Sequence, residues 1–281
     1  MTPQQLKQLR IPLRKICQQA SQAIMAIYNS PRHWERAEKE DGSPVTAADL
    51  AAHKIIASQL SRLNPRLPVL SEESAKLSWS TRKQWGRYWL VDPLDGTREF
   101  LERNDQFTVN IALIENGYPT LGMVHLPAVG ISYFGGIDIG SCKFEDLHQD
   151  VEPIFTHKLN SSHLRVVASH RHGNQQIEPV LLTLQQQGLE IDKVQVGSSL
   201  KFCLIAEGSA DFYPRIGPTS EWDTAAAQAV VEGAGGVVTD IGFNALQYNA
   251  KEDLLNPYFL VFGDPTPPWR RWLDGGLPPL R

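Results

Sequence analysis

The chain has little cysteine. Its three, Cys17, Cys142 and Cys203, stand far apart among 281 residues, an odd number that fits a reducing compartment better than a disulfide framework. Cys17 and Cys203 fall in helix-like apolar patterns and read as small buried hydrophobes, not reactive thiols. Long hydrophobic runs are missing too: no segment has the roughly 20 apolar residues that a membrane-spanning helix needs. The opening "MTPQQLKQLRIPLRKICQQA" mixes charge into an amphipathic pattern without the apolar stretch of a signal peptide, so a cytoplasmic location is expected. Nor is positive charge in excess. With 27 Lys and Arg against 31 Asp and Glu, the net charge of -4 argues against a protein that tracks a nucleic-acid polymer. It leaves room for a small anion held by local cations. No internal repeat and no low-complexity block interrupts the chain.

What is present is an ordinary globular mixture, 42% hydrophobic and 21% charged, enough to bury a sizeable core. Leu13, Ile16, Ala20, Ala23, Ile24 and Ile27 recur at helical spacing, which predicts a helix from about Pro12 to Tyr28 with a shorter piece before it. "KEDGSPVTAADLAAHKIIASQL" reads as a polar loop entering a helix, and "RLPVLSEES" as a short strand running into an acidic loop. From Tyr88 to about Phe144, β-branched and aromatic runs alternate with turns such as "ENG" and "AVG", predicting an antiparallel sheet packed on the N-terminal helices. After about Thr156 strands and helices alternate, ending in "TAAAQAVVEGAGG" and "VVTDI", the rhythm of an α/β layer. The expectation is a mixed α+β and α/β chain with an N-terminal region over 1–155 and a C-terminal region over 156–281. The Pro/Gly-rich residues 264–281 are expected to pack loosely or project.

Four acidic pieces stand out: Asp49 in "PVTAADLAAH", Glu72 and Glu73 in "LSEES", the "DPLDGT" turn, and Asp223 in "EWDTAAAQAVV". Asp49 and Asp223 each follow a Thr or Ser by three residues, the spacing of a helix capping box, so a capping and a functional reading are both open. Glu72 and Glu73 alone would be solvated loop residues. "DPLDGT" carries more. Pro93 holds Asp92 extended at a strand end while the chain turns, and the turn can aim Asp92, Asp95 and the Leu94 carbonyl to one side. Oxygens so grouped suit a hard cation such as Mg²⁺, which binds oxygen at about 2.0–2.1 Å. Gly96 permits close backbone approach, and Thr97 offers a hydroxyl and an N–H at a helix start, where phosphate binds.

In this order the motifs resemble the inositol monophosphatase superfamily of metal-dependent, lithium-sensitive phosphatases, from about Pro12 to Phe262. Within it, "GSPVTAADLAAH", "RYWLVDPLDGTREFLERNDQFTVNIALIENG" and "VGSSLKFCLIAEGSADFYPRIGPTSEWDTAAA" look most like CysQ-type 3'(2'),5'-bisphosphate nucleotidases. Glu99-Phe100 stands where inositol-phosphate members more often read N-F, and Arg98 where CysQ-type chains often carry Lys. The resemblance implies a layered α-β-α-β-α sandwich with two sheets. It implies that Glu72, Asp92, the Leu94 carbonyl, Asp95 and Asp223 ligate two or three Mg²⁺ ions, most of these ligands lying in the N-terminal region. Asp49 and Thr97 would hold the attacking water, with Glu72 also counted in the catalytic set, and the Gly96 and Thr97 backbone would receive the scissile phosphate. His170, Ser198, Lys201 and Arg215 fall where nucleotidase members contact the nucleotide and its second phosphate, with Asp223 at the substrate as well. Lys201, Arg215 and His170 also read as ordinary surface residues.

The implied reaction is hydrolysis of adenosine 3',5'-bisphosphate to AMP and phosphate, extending to the 5'-phosphosulfate, by a monomer or homodimer. The nearest alternative keeps the metals and changes the substrate to an inositol phosphate or fructose bisphosphate. An alternative of another class is a catalytically silent metal- or nucleotide-binding protein, against which all of Asp49, Glu72, Asp92, Asp95, Thr97 and Asp223 are present.

Overall fold

In the strand Arg87–Asp95, Tyr88 and Leu90 join one hydrophobic cluster while Trp89 and Val91 join another. A strand with apolar side chains on both faces needs cover on both, and this requirement sets the layers. The structure is a computed structural model and describes residues 1–30, 36–38, 44–74, 77–145, 150–159, 162–169 and 174–279.

The first half runs α1 (Pro3–Gln8), α2 (Arg10–Tyr28), β1 (Arg36–Glu38), β2 (Pro44–Thr46), α3 (Ala47–Leu60), β3 (Val69–Ser71), a 3-10 turn (Glu72–Ser74), α4 (Trp79–Arg82) and β4 (Arg87–Asp95). It continues through α5 (Thr97–Glu102), β5 (Thr108–Glu115), β6 (Tyr118–Leu126), β7 (Ile131–Gly136), β8 (Gly140–Glu145) and β9 (Glu152–Ile154). The remainder is β10 (His163–Ala168), α6 (Asn174–Gln186), β11 (Glu190–Gln195), α7 (Leu200–Ala206), β12 (Phe212–Arg215), α8 (Glu221–Gly233), β13 (Val237–Asp240), β14 (Phe259–Phe262) and α9 (Trp269–Trp272).

Strands β3 to β9 form a seven-stranded sheet in chain order, antiparallel apart from the parallel β3–β4 pair. The predicted "ENG" hairpin is there: Asn116 and Gly117 both have positive φ, at 52° and 82°, as the favoured two-residue turn demands. A five-stranded sheet has the order β11-β10-β12-β14-β13. Helices α2 and α3 cover the outer face of the larger sheet, with Leu13, Ile16 and Ile56 against Trp89, Ile111 and Met123. Helices α7 and α8 lie between the sheets, where Phe202, Ala226 and Val230 pack with Leu90 and Val124 on one side and Val167 and Val261 on the other. Helices α6 and α9 close the far face through Val180, Leu184 and Trp269. The result is the expected α-β-α-β-α stack.

Three details depart from the sequence reading. The second helix starts at Arg10 instead of about Pro12, a terminal turn that periodicity does not resolve. Strand β14 was not anticipated, because the segment before it has no periodicity to announce it. It pairs antiparallel with both β12 and β13 and so closes the smaller sheet. Over its described residues, 264–279, the C-terminal segment is anchored to the fold. Trp269 is buried against Phe212 and Phe262 at centroid distances of 5.3 and 4.8 Å, and its indole N–H donates to the Asp264 carbonyl at 2.7 Å. One buried aromatic outweighs a surrounding run of prolines.

The middle helix sits tightly on the larger sheet. A Cβ on Gly122 of β6 would fall 1.9 Å from the Ala226 carbonyl oxygen of α8, so only glycine permits this approach. Gly122→Ala is expected to cost on the order of 1–3 kcal/mol in urea unfolding followed by circular dichroism. Wild-type stability would mean that α8 is not seated on β6.

Candidate metal and phosphate site

Asp92 and Asp95 are separated by an odd number of positions, so in a regular strand they would face opposite ways. They do not, because β4 carries a bulge. Asp92 pairs with Asn110 and Asp95 with Thr108, so the β4 side has one residue more than β5 between the two pairs. The inserted residue returns Asp95 to the face of Asp92. Pro93 fits such a place, where a ladder hydrogen bond is lost anyway. Leu94 N–H donates back to Asp92 Oδ1 at 3.0 Å. The chain then leaves through Gly96 in the left-handed region, φ 87°, and enters α5 at Thr97. A Cβ on Gly96 would also meet Ser198 Cβ at 3.2 Å and the Gln106 carbonyl at 3.3 Å.

The third carboxylate arrives on α8. Asp223 is the third residue of that helix and forms a capping box with Ser220, whose N–H donates to Oδ2 at 2.8 Å. One oxygen from each of Asp92, Asp95 and Asp223 lies within 4.8 Å of the others. Glu72, at the start of the turn after β3, adjoins this group and is hydrogen-bonded to Asp92.

Asp49 is likewise both capped and capping. Thr46 N–H and Oγ1 lie 2.8 and 2.6 Å from its Oδ2, while Thr97 Oγ1 stands 3.3 Å from Oδ1. The same threonine hydroxyl is 3.4 Å from the Leu94 carbonyl. A hydroxyl has one proton, so Thr97 donates to one of them at a time. Capping and functional readings are therefore compatible, since each uses a different carboxylate oxygen.

Burial, followed by the charges of Glu72, Asp95 and Asp223, pushes the Asp92 carboxyl well above its usual range. Burial and the neighbouring Asp95 and Glu72 do the same to Asp223, against the Ser220 N–H and Arg215. Crowded, desolvated carboxylates of one sign are held at a cost unless a cation joins them. The donors are all oxygen, which fits Mg²⁺ and not the thiolate- or imidazole-preferring metals.

A cleft of about 580 Å³ opens beside the cluster and is lined by Glu72, Asp95, Gly96, Thr97, Arg215 and Asp223 among others. A smaller recess shares Asp95, Gly96, Arg215 and Asp223 and adds Ser198 and Lys201. Ser198 has a positive φ of 45°. Lys201 is buried on α7, its ammonium 5.7 Å from the Tyr213 ring centroid. Burial lowers its pKa to about 8, with Asp95 opposing and Arg215 reinforcing the fall. Arg215, at the end of β12, donates to the Pro218 carbonyl at 2.9 Å. The fold thus gathers Asp49, Glu72, Asp92, Leu94, Asp95, Gly96, Thr97, Ser198, Lys201, Arg215 and Asp223 around one region. His170 lies outside the described residues.

Sequence reasoning missed Ser199, which binds Asp95 through both its N–H and its hydroxyl, at 2.6 and 2.9 Å. The available signal was "GSSLK", a serine directly before an apolar helix; it reads as an N-cap, yet Ser199 makes no side-chain cap. Asn110 was missed too, hidden in a strand of otherwise β-forming residues. Its Nδ2 donates to Ser199 Oγ at 2.8 Å.

Residues 5–261 match the model of the inositol monophosphatase family. The 3'(2'),5'-bisphosphate nucleotidase CysQ of Salmonella typhimurium is 45% identical over 258 residues, spanning 89% of this chain and 98% of that protein. CysQ of Escherichia coli K12 is 43% identical with the same coverage. The crystal structure of CysQ from Bacteroides thetaiotaomicron, at 37% identity, superposes with a TM-score of 0.77 over 88% of this chain and 94% of that one. With its fold, acidic cluster and near full-length match in agreement, the chain belongs to the inositol monophosphatase family, in its CysQ group.

Proposed function

We propose that the protein is a Mg²⁺-dependent 3'(2'),5'-bisphosphate nucleotidase that hydrolyses adenosine 3',5'-bisphosphate to AMP and phosphate and extends to the 5'-phosphosulfate. One observation carries the reading: a cluster of Asp92, Asp95 and Asp223 stands beside the Asp49–Thr97 pair, with the cation Arg215 on the wall of the adjoining cleft and Lys201 beside it in the smaller recess. The relatives called 3'(2'),5'-bisphosphate nucleotidase support the same substrate.

Glu72, Asp92, the Leu94 carbonyl, Asp95 and Asp223 would hold two or three Mg²⁺ ions. Bound there, Mg²⁺ supplies charge neutralisation for the phosphoryl oxygens and acidity for a water molecule. Asp49 and Thr97 orient that water. With its hydroxyl proton directed at Asp49 Oδ1, Thr97 presents an oxygen lone pair to the incoming water proton and passes its own proton to Asp49. The Thr46 bonds to Oδ2 keep Asp49 in one rotamer, so the receiving oxygen is always Oδ1. Water oxygen joins phosphorus, the bond from phosphorus to the ribose oxygen breaks, and that oxygen takes a proton. Gly96 and Thr97 line the cleft, and their amides, at the start of α5, would receive the transferred phosphate. Lys201 and Arg215 bind the phosphate that remains, Arg215 with the planar fork that suits two oxygens at once.

Phosphate release should be fastest on adenosine 3',5'-bisphosphate when compared with inositol 1-phosphate and fructose 1,6-bisphosphate at equal concentration. Faster release from inositol 1-phosphate would move the substrate assignment elsewhere in the family. Asp95→Asn should reduce Mg²⁺-dependent release by about 10- to 100-fold or more. Without Mg²⁺ it should melt no lower than wild type, because a like charge has left a crowded cluster. Near-normal turnover in the folded variant refutes the metal assignment.

Lys201 gives a pH signature. It must be charged to hold phosphate, and a cation beside Asp95 and Asp223 removes part of the field that opposes its fall to about 8. In the free enzyme, kcat/KM for the bisphosphate should decline as pH rises through about 8 or just below, and Lys201→Arg should abolish that decline. Stability moves the other way: a lysine depressed from 10.5 to about 8 penalises the fold below the lower value, and the penalty fades as pH rises between the two.

A further inference from the structure

We infer that Ser199 is a positioning residue that locks Asp95 to Asp223 and so sets the spacing of the metal-binding carboxylates before any cation arrives. The inference rests on the metal-dependent reading above and assigns the work of preorganisation to a residue outside the ligand set.

Ser199 is buried at the start of α7, where a serine ordinarily turns its hydroxyl back to cap its own helix. Here the side chain is used otherwise. Ser199 N–H donates to Asp95 Oδ2 at 2.6 Å, and Ser199 Oγ lies 2.9 Å from the same oxygen and 2.8 Å from the Asp223 carbonyl oxygen. Asn110 Nδ2 donates to Ser199 Oγ at 2.8 Å, which leaves the single hydroxyl proton for Asp95 or Asp223. One oxygen atom therefore touches the end of β4, the first turn of α8 and the middle of β5.

The placement has a chemical result. Among the described residues, the hydrogen bonds to Asp95 fall on Oδ2, with Thr108 Oγ1 at 3.3 Å as a further donor. Oδ1 is thereby the oxygen presented to a cation, and the carboxylate cannot rotate without breaking the Ser199 contacts. The link to the Asp223 carbonyl matters because the two acids belong to different layers of the fold and repel each other. Without a tie they would move apart whenever no cation is bound, and each binding event would have to draw them together again. Outer partners of this kind commonly change metal affinity by about 10- to 100-fold.

The test is Mg²⁺ titration of the full chain by calorimetry without substrate, together with the thermal midpoint in the absence of metal. Ser199→Ala is compared with Ser132→Ala, which removes another fully buried hydroxyl, one bonded to His125 Nδ1 at 2.8 Å in a different part of the sheet. Both variants should lose similar stability, but only Ser199→Ala should weaken Mg²⁺ binding, by about 10- to 100-fold. Its half-saturating Mg²⁺ for phosphate release should rise in parallel, while KM for the bisphosphate at saturating Mg²⁺ stays close to wild type. Wild-type Mg²⁺ affinity in folded Ser199→Ala overturns the inference and leaves the proposed function standing. Failure of the wild-type chain to bind Mg²⁺ overturns both. If Ser199→Ala does not fold, Ser199→Gly takes its place, and collapse of both beside a folded Ser132→Ala shows a structural role alone and overturns the inference.

Discussion

Two acids an odd number of residues apart on one strand can face the same way only if the strand gains a residue, and the site depends on that bulge. In β4 the extra residue falls within Pro93-Leu94, between the Asp92–Asn110 and Asp95–Thr108 pairs. A regular strand would have turned Asp95 toward the cluster that contains Trp89, Val91 and the outer helices, where an unpaired carboxylate costs several kcal/mol. The bulge also ends the strand. Beyond it the chain needs a left-handed residue, Gly96, to start α5 and bring Thr97 back over the Leu94 carbonyl. Ligand direction, helix start and water-holding hydroxyl all follow from one insertion.

The fold opposes its own electrostatics here. Asp92 and Asp223 are pushed toward protonation by burial and by the charges of Glu72 and Asp95, yet each is fixed by backbone donors, Leu94 N–H for one and Ser220 N–H for the other. Those bonds favour the charged form at one oxygen and leave the second for a cation. Asp95 shows the same division, with Oδ2 spent on Ser199, whereas Asp49 divides its oxygens between Thr46 and the Thr97 hydroxyl. Rigidity comes from elsewhere: α8 rests on β6 through Gly122 with no side chain between them, so the acid at its start has little freedom.

Much of this was legible in the sequence, for identifiable reasons. Apolar runs such as "YWLV" announced strands of a sheet packed on the N-terminal helices, though not its cover on both faces, and the turn "DPLDGT" announced oxygen ligands because proline and glycine fix backbone direction. The joint role of Asp49 was only half legible. Spacing identifies a capping box, but which carboxylate oxygen is occupied is a matter of geometry. Ser199 was illegible beside Ser198, since two adjacent serines before a helix look alike until one of them is diverted to Asp95. Strand β14 was hidden for a topological reason, arriving after a long aperiodic segment to fill the place between β12 and β13. The buried Trp269 shows the reverse error, in which composition masked a single well-packed ring.

The two capping boxes bear on how this chain would decay if selection for catalysis were lifted. Asp49 and Asp223 each secure the first turn of a helix packed on the larger sheet, α3 on its outer face and α8 on its inner one. Folding alone would preserve them. A silent descendant would keep these two acids long after the Thr97 hydroxyl had drifted, so in this architecture the small residues beside the acids are the better record of a working enzyme.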